Sequence, residues 1–178
     1  DALAFGETEG EITHLFFDSR PASAYERLGA SEQPATHAVV AGLSLLVFLG
    51  ATVGWTATGL WRWYRGTTLD EPTSPLRHTR RTAGLTALSY LVFVIGLALV
   101  VLSDPQAALL GDPLPLQVVL LFPAVGALAS VMTLILVGGA WRQGVWPRMT
   151  RLQYTVVGVA GVVFAFVLAY WNLLWYQM

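Results

Sequence analysis

The 178-residue chain contains no cysteine and no lysine, and only 12% of its residues are charged. The missing cysteine excludes disulfides, thiolate metal sites and cysteine nucleophiles. The missing lysine removes the S-x-x-K pair of one serine-hydrolase class, and no G-x-S-x-G occurs either. An ordinary soluble domain is about 25% charged. Half that figure leaves too little polar surface to coat a globule in water. The residues that are abundant point the same way: 55% are hydrophobic, and the mean hydropathy is +0.59. These proportions predict an all-α membrane protein, a bundle of four transmembrane helices preceded by a short β-hairpin.

Four long apolar stretches, about 38–60, 82–102, 116–140 and 152–171, contain no Asp, Glu, Lys, Arg or His. Each reaches the roughly 20 residues that cross about 30 Å of hydrocarbon at about 1.5 Å per residue. The second holds six leucines, four valines, Ile95 and Phe93. At about −0.3 to −0.6 kcal/mol each on the insertion scale, these contribute on the order of −4 to −7 kcal/mol. That outweighs Ser89, Thr82 and Thr86. Four buried helices of a soluble bundle would each need a polar stripe, and none is present.

Charge is segregated along the chain. Eight of the ten arginines lie in the connections 61–81 and 141–151, whereas 103–115 has none and residues 1–36 carry seven acids. The positive-inside rule makes 61–81 and 141–151 cytoplasmic and places both termini outside a cell membrane. Trp61, Trp63, Trp141 and Trp146 would mark the inner boundary, and Trp171 and Trp175 the outer one.

Residues 1–36 form the expected extracytoplasmic hairpin and linker, with 37–178 as the transmembrane domain. Ala2–Phe5 and Ile12–Phe17 are short apolar runs around a polar stretch bounded by Gly6 and Gly10. A hairpin alone is marginal in water, so Phe5, Leu15, Phe16 and Phe17 need cover. A separate or upstream extracytoplasmic domain would supply it, with the membrane surface as the alternative. Asp18–Thr36 reads as a polar linker with one possible helical turn, Ala22–Leu28. The chain starts at Asp1 with its first long apolar run near residue 38, so a removed leader or an upstream domain is expected.

Small residues mark packing faces: Gly50 and Gly54 in a GxxxG, Gly126 with Ser130, and Gly158 with Gly161. Packing among the four helices is the expected use, with a homo-oligomer as the alternative. Pro123 should kink the third helix by removing a backbone donor.

Chemistry is sparse. With no ionisable side chain in the spans, proton relays and voltage sensing have nothing to act through. His14, His37 and His78 are scattered, and His37 and His78 fall on opposite sides of the membrane, so they cannot share a haem. His14 with Asp18 is too few ligands for a metal. Arg77–Arg81 would set topology, with anionic headgroup binding as the alternative. Asn172 and Gln177, the amides at the outer end of the last helix, are insufficient for lipid chemistry. No catalytic residue, cofactor, metal ligand or nucleic-acid contact is expected, and the bilayer is the expected partner.

One local pattern is suggestive: Leu3-Ala4-Phe5, then Gly10-Glu11-Ile12-Thr13-His14-Leu15-Phe16, then Ala24-Tyr25-Glu26-Arg27-Leu28, followed by four spans. It resembles the C-terminal end of membrane-bound serine hydrolases of the β-lactamase/penicillin-binding-protein-like family. In that family a late hairpin follows the catalytic domain and a short segment leads to the membrane helices. The resemblance covers the first ~30 residues by pattern and the rest by span count and order. It implies an upstream extracytoplasmic catalytic domain carrying S-x-x-K and Y-x-N. No position here matches those motifs, so this chain would be the anchor and not the enzyme. The competing expectations are a free-standing four-helix protein, acting as accessory subunit or small-solute carrier, and a lipid-directed enzyme. The missing acids and bases at the helix ends argue against the last.

Overall fold

The computed structural model describes residues 3–8, 11–17, 24–26, 29, 32–66, 74–103, 114–144 and 146–174. The chain divides into two compact units, Asp1–Val39 and Val40–Met178. In the first, strands β1 (Leu3–Thr8), β2 (Glu11–Phe17) and β3 (Ala24–Glu26) form an antiparallel sheet in the order β1-β2-β3. The β1–β2 register runs from Leu3↔Phe17 to Thr8↔Glu11, with an irregularity between Gly6 and Glu7. Two sequence expectations are corrected. The first strand continues three residues beyond Phe5, and the segment expected as a helical turn holds β3 instead, paired with β2 from His14↔Glu26 to Phe16↔Ala24.

The helices are α1 (Pro34–Arg65), α2 (Ser74–Ser103), α3 (Leu114–Val119), α4 (Leu121–Gln143) and α5 (Arg148–Tyr170). Among the described residues, four segments are long and apolar enough to cross a membrane: α1, α2 from Leu76, α3 with α4, and α5. Length and composition thus give a multi-pass membrane protein built as an all-α bundle.

The helices outrun the apolar stretches because arginine and tryptophan are good enough helix formers to carry the backbone on. Residues 74–81, expected in a connection, are the first two turns of α2. Local signals set the ends. Pro34 opens α1, where a missing N–H costs nothing. Gly144 closes α4 with φ 67°, a left-handed cap. Asn172 (φ 60°) follows the last helix, with Leu173 N–H donating to Leu168 O and Asn172 N–H to Ala169 O. That is the paired closure of a helix C-terminus, so Asn172 is a cap.

The third span is interrupted at Leu120, between α3 and α4. Pro123 explains the position. Its ring collides with the carbonyl four residues earlier and its nitrogen cannot donate there. That carbonyl belongs to Val119, where α3 ends.

Burial is inverted relative to a protein in water. Ser44, Thr79, Thr86, Ser89, Ser130 and Thr133 are buried, whereas Leu128 is 75% and Phe166 71% exposed. In lipid, outward leucine and phenylalanine cost nothing, and small or hydroxylated residues permit close approach. Helices α2, α4 and α5 run close together along their backbones; α1 scarcely does, and meets them through the rings of Phe48 and Trp55.

Candidate functional site

The centre of the bundle is aromatic. Phe48 of α1 stacks on Tyr90 of α2 at 5.2 Å between ring centroids, and Phe164 of α5 meets Tyr90 edge-on at 4.9 Å. Tyr90 is fully buried, and its hydroxyl donates to Gly161 O at 2.9 Å. A buried tyrosine must place its hydroxyl on an acceptor. Here a helix carbonyl is reachable because Gly161 has no side chain.

Glycines make the room. A Cβ on Gly126 would lie 2.8 Å from the Tyr90 ring, and one on Gly158 would lie 2.7 Å from Leu134 Cδ2. At Gly161 it would meet Ser130 Oγ and lie 2.9 Å from Ser130 Cβ. The small pairs Gly126/Ser130 and Gly158/Gly161 therefore pack helices of one chain together, as expected. Gly50 and Gly54 do not: neither has a heavy atom within 4 Å of a Cβ position. The face of α1 that carries them turns away from the close-packed helices, which corrects the expectation for this motif.

Four of the buried hydroxyls bond within their own helices. Ser44, Thr86, Ser130 and Thr133 donate to the backbone oxygen four residues earlier, at 2.6–3.0 Å. This bonding satisfies a hydroxyl in an apolar span. None of the four is paired with a base. Among the described residues no three His, Cys, Asp or Glu side chains come together to hold a metal. His37 begins α1 and His78 lies in the first turns of α2. Along α1, His37 and the end joined to α2 are separated by about 40 Å at 1.5 Å per residue. The side chain of His14, and all of Asp18 and Gln177, lie outside what is described.

Polar groups gather instead at the end of the bundle where α1 finishes and α2 starts. Tyr154 of α5 packs against Trp55 of α1 at 5.7 Å and against Trp146, in the turn before α5, at 6.5 Å. Trp146 has φ 72°, a conformation that costs a bulky residue on the order of 1–3 kcal/mol and persists only when surroundings enforce it. Arg151 places its guanidinium 4.5 Å above the Trp141 ring. The Trp141 indole N–H donates to Thr155 Oγ1 at 3.1 Å, and Thr155 in turn donates to Arg151 O at 2.8 Å. Arg65 lies over Trp61 at 4.6 Å. Such cation–π contacts are worth about 0.5–1 kcal/mol when exposed. Among the described residues, three donors in this region are buried without an acceptor: Trp55 Nε1, Trp146 Nε1 and Arg151 Nε.

One apolar groove opens between α1 and α5, about 350 Å³ in volume, with walls that include Val40, Leu43, Val47, Val156, Val159 and Val163. Its polar atoms come from Ser44 and Thr155, whose hydroxyls already donate to their own helices.

Sequence reasoning passed over Tyr90 and Tyr154. The available signal was a tyrosine inside an apolar run, which has to find an acceptor or a polar edge. Comparison with protein-family models, curated proteins and solved structures finds no match to this chain.

Proposed function

We propose that this chain is a non-catalytic membrane module that anchors an extracytoplasmic serine hydrolase domain of the β-lactamase-like class. The observation that carries the non-catalytic part is the composition of the buried interior. The hydroxyls of Ser44, Thr86, Ser130 and Thr133 bond to their own helices and that of Tyr90 to the Gly161 carbonyl, and among the described residues no carboxylate, histidine or arginine is classed as buried. Catalysis by a nucleophile or a general base needs such a group within hydrogen-bond reach. The anchoring part rests on the resemblance of residues 3–28 and on the sheet. The hairpin of β1 and β2 is read as the last piece of a larger sheet, since β1 lies at an edge and can accept a further strand.

In this reading the arginine-rich end faces the cytoplasm and both termini lie outside, which puts the hydrolase domain outside as well. Two measurements test it. The intact mass of the native gene product, with its labelling by an active-site serine probe, reports whether a hydrolase belongs to the same polypeptide. A product little larger than 178 residues and inert to the probe would leave the free-standing small membrane protein as the reading. For orientation, Ser74→Cys should react with an impermeant maleimide only after the membrane is opened, and Gln106→Cys in intact cells. The opposite pattern refutes the topology.

A further inference from the structure

We propose that the arginine-bearing end of the bundle binds one anionic phospholipid, with its phosphate held by the tryptophan–arginine cluster around Tyr154 and an acyl chain in the groove between α1 and α5. Three observations converge. The first is unmet donors: Trp55 Nε1, Trp146 Nε1 and Arg151 Nε are buried and lack an acceptor among the described residues. Both indoles lie against the ring of Tyr154, and Arg151 stands three residues before Tyr154 on α5. A phosphate oxygen is the complement of a set made only of donors.

The second is charge. The helix ends on this side carry Arg62, Arg65, Arg77, Arg80, Arg81, Arg142, Arg148 and Arg151, and no described residue among them is acidic. Arg80, in the second turn of α2, brings a further guanidinium to this end of the bundle. Asp70 and Glu71 stand in the connection between α1 and α2, outside the described residues, and their neutralisation is the control for a loop carboxylate.

The third is the groove, and it decides between a lipid and free phosphate. On α5 its wall begins at Thr155, one helical turn from Arg151, and continues to Val163. That run covers about 12 Å at 1.5 Å per residue, leading from the cluster toward the middle of the bilayer. On α1 the wall lies two turns beyond Trp55, at Val47, and continues to Val40. Its 350 Å³ volume falls within the range of about 300–1,000 Å³ usual for small-molecule sites. An apolar slot whose α5 wall starts one helical turn from a cationic donor cluster has the two-part chemistry of a phospholipid. A free anion would use only half of it.

The test uses the whole chain in detergent, with native mass spectrometry to count retained lipid. Phosphatidylglycerol and phosphatidylcholine of identical acyl chains are offered in competition. The expected result is one phosphatidylglycerol retained per chain, preferred by about tenfold or more, as two basic residues at a membrane surface would give. Arg80→Gln with Arg151→Gln should abolish the preference. Trp55→Phe with Trp146→Phe, which keeps the rings and removes the donors, should reduce it, and this pair remains informative if the arginine variant does not fold. Ala160→Phe, which fills the groove, should lower retention with every charge in place. Equal retention of the two lipids overturns the proposal. So does unchanged retention in Ala160→Phe, which would mean surface attraction alone. Displacement of the lipid by millimolar inorganic phosphate would assign the cluster to the free anion and overturn the lipid assignment. Release of an existing preference by Asp70→Asn with Glu71→Gln would not be expected, and a gain of lipid retention in that variant would identify the loop carboxylates as the native occupant and refute it too.

Discussion

Gly161→Ala is the sharpest test of how the bundle is held. The added methyl would meet Ser130 Oγ and lie 2.9 Å from Ser130 Cβ and 2.8 Å from Thr86 Cγ2. Ser130 Cβ is fixed to the α4 backbone and cannot swing away. Rotating its hydroxyl would break the bond to Gly126 O at 2.6 Å, a loss of about 0.5–1.5 kcal/mol. The alternative is for α4 and α5 to separate, and overpacking of this kind costs about 1–3 kcal/mol. Alanine recovers up to about 1 kcal/mol of helix propensity, so the net expectation is a destabilisation of roughly 1–2 kcal/mol. Gly50→Ala supplies the reference, because nothing lies within 4 Å of a Cβ there. It takes the propensity gain without the clash. The assay is reversible unfolding in mixed micelles, titrated with sodium dodecyl sulfate and followed by far-ultraviolet circular dichroism. Adding Ser130→Gly to Gly161→Ala removes both Ser130 atoms and should restore about 1 kcal/mol or more as coupling. If Gly161→Ala and Gly50→Ala unfold alike, or the pair shows no coupling, close approach of α4 and α5 is not what holds the bundle.

Three further substitutions probe other joints. Tyr90→Phe deletes the 2.9 Å bond to Gly161 O and keeps the ring; a loss of about 0.6 kcal/mol, at most about 1.7, is expected in the same titration, in line with interhelical bonds in membranes. Phe48→Ala should loosen α1 while α2, α4 and α5 stay together, since Phe48 carries the ring of α1 that packs on Tyr90 and Phe164; spin labels on α1 and α5 should report a broadened distance distribution with little change in helix content. Pro123→Ala returns the N–H that Val119 O lacks and removes the ring clash, so hydrogen exchange around Leu120 should slow as α3 and α4 join; unchanged exchange would mean that proline does not cause the break.

Part of this protein could be read without coordinates because one energetic demand dominates its sequence. Uncharged runs of twenty or more residues have lipid as their only compatible solvent, which settles the number of spans and their approximate place. The same economy of charge leaves the four apolar stretches without Asp, Glu, Lys, Arg or His. Boundaries were less legible. Residues 74–81 look like a connection by hydropathy but continue α2, because hydropathy reports the solvent of a segment and not its backbone. The Leu120 break was foreseeable in kind from Pro123, and its exact residue follows from the collision four positions back.

What tertiary structure decided is which face meets which. When every side of a helix is apolar, periodicity cannot pick the buried one, and lipid does not push leucine inward as water does. Hence Gly161 is enclosed and Gly50 open, though both stand in small-residue patterns that look alike along the chain. The same holds for Trp55, which is far in order of synthesis from Trp146, Arg151 and Tyr154 and meets the Tyr154 ring only after α1 and α5 have packed. Local sequence specifies the solvent of each helix; the contacts that select partners form between segments, and only folding brings them together.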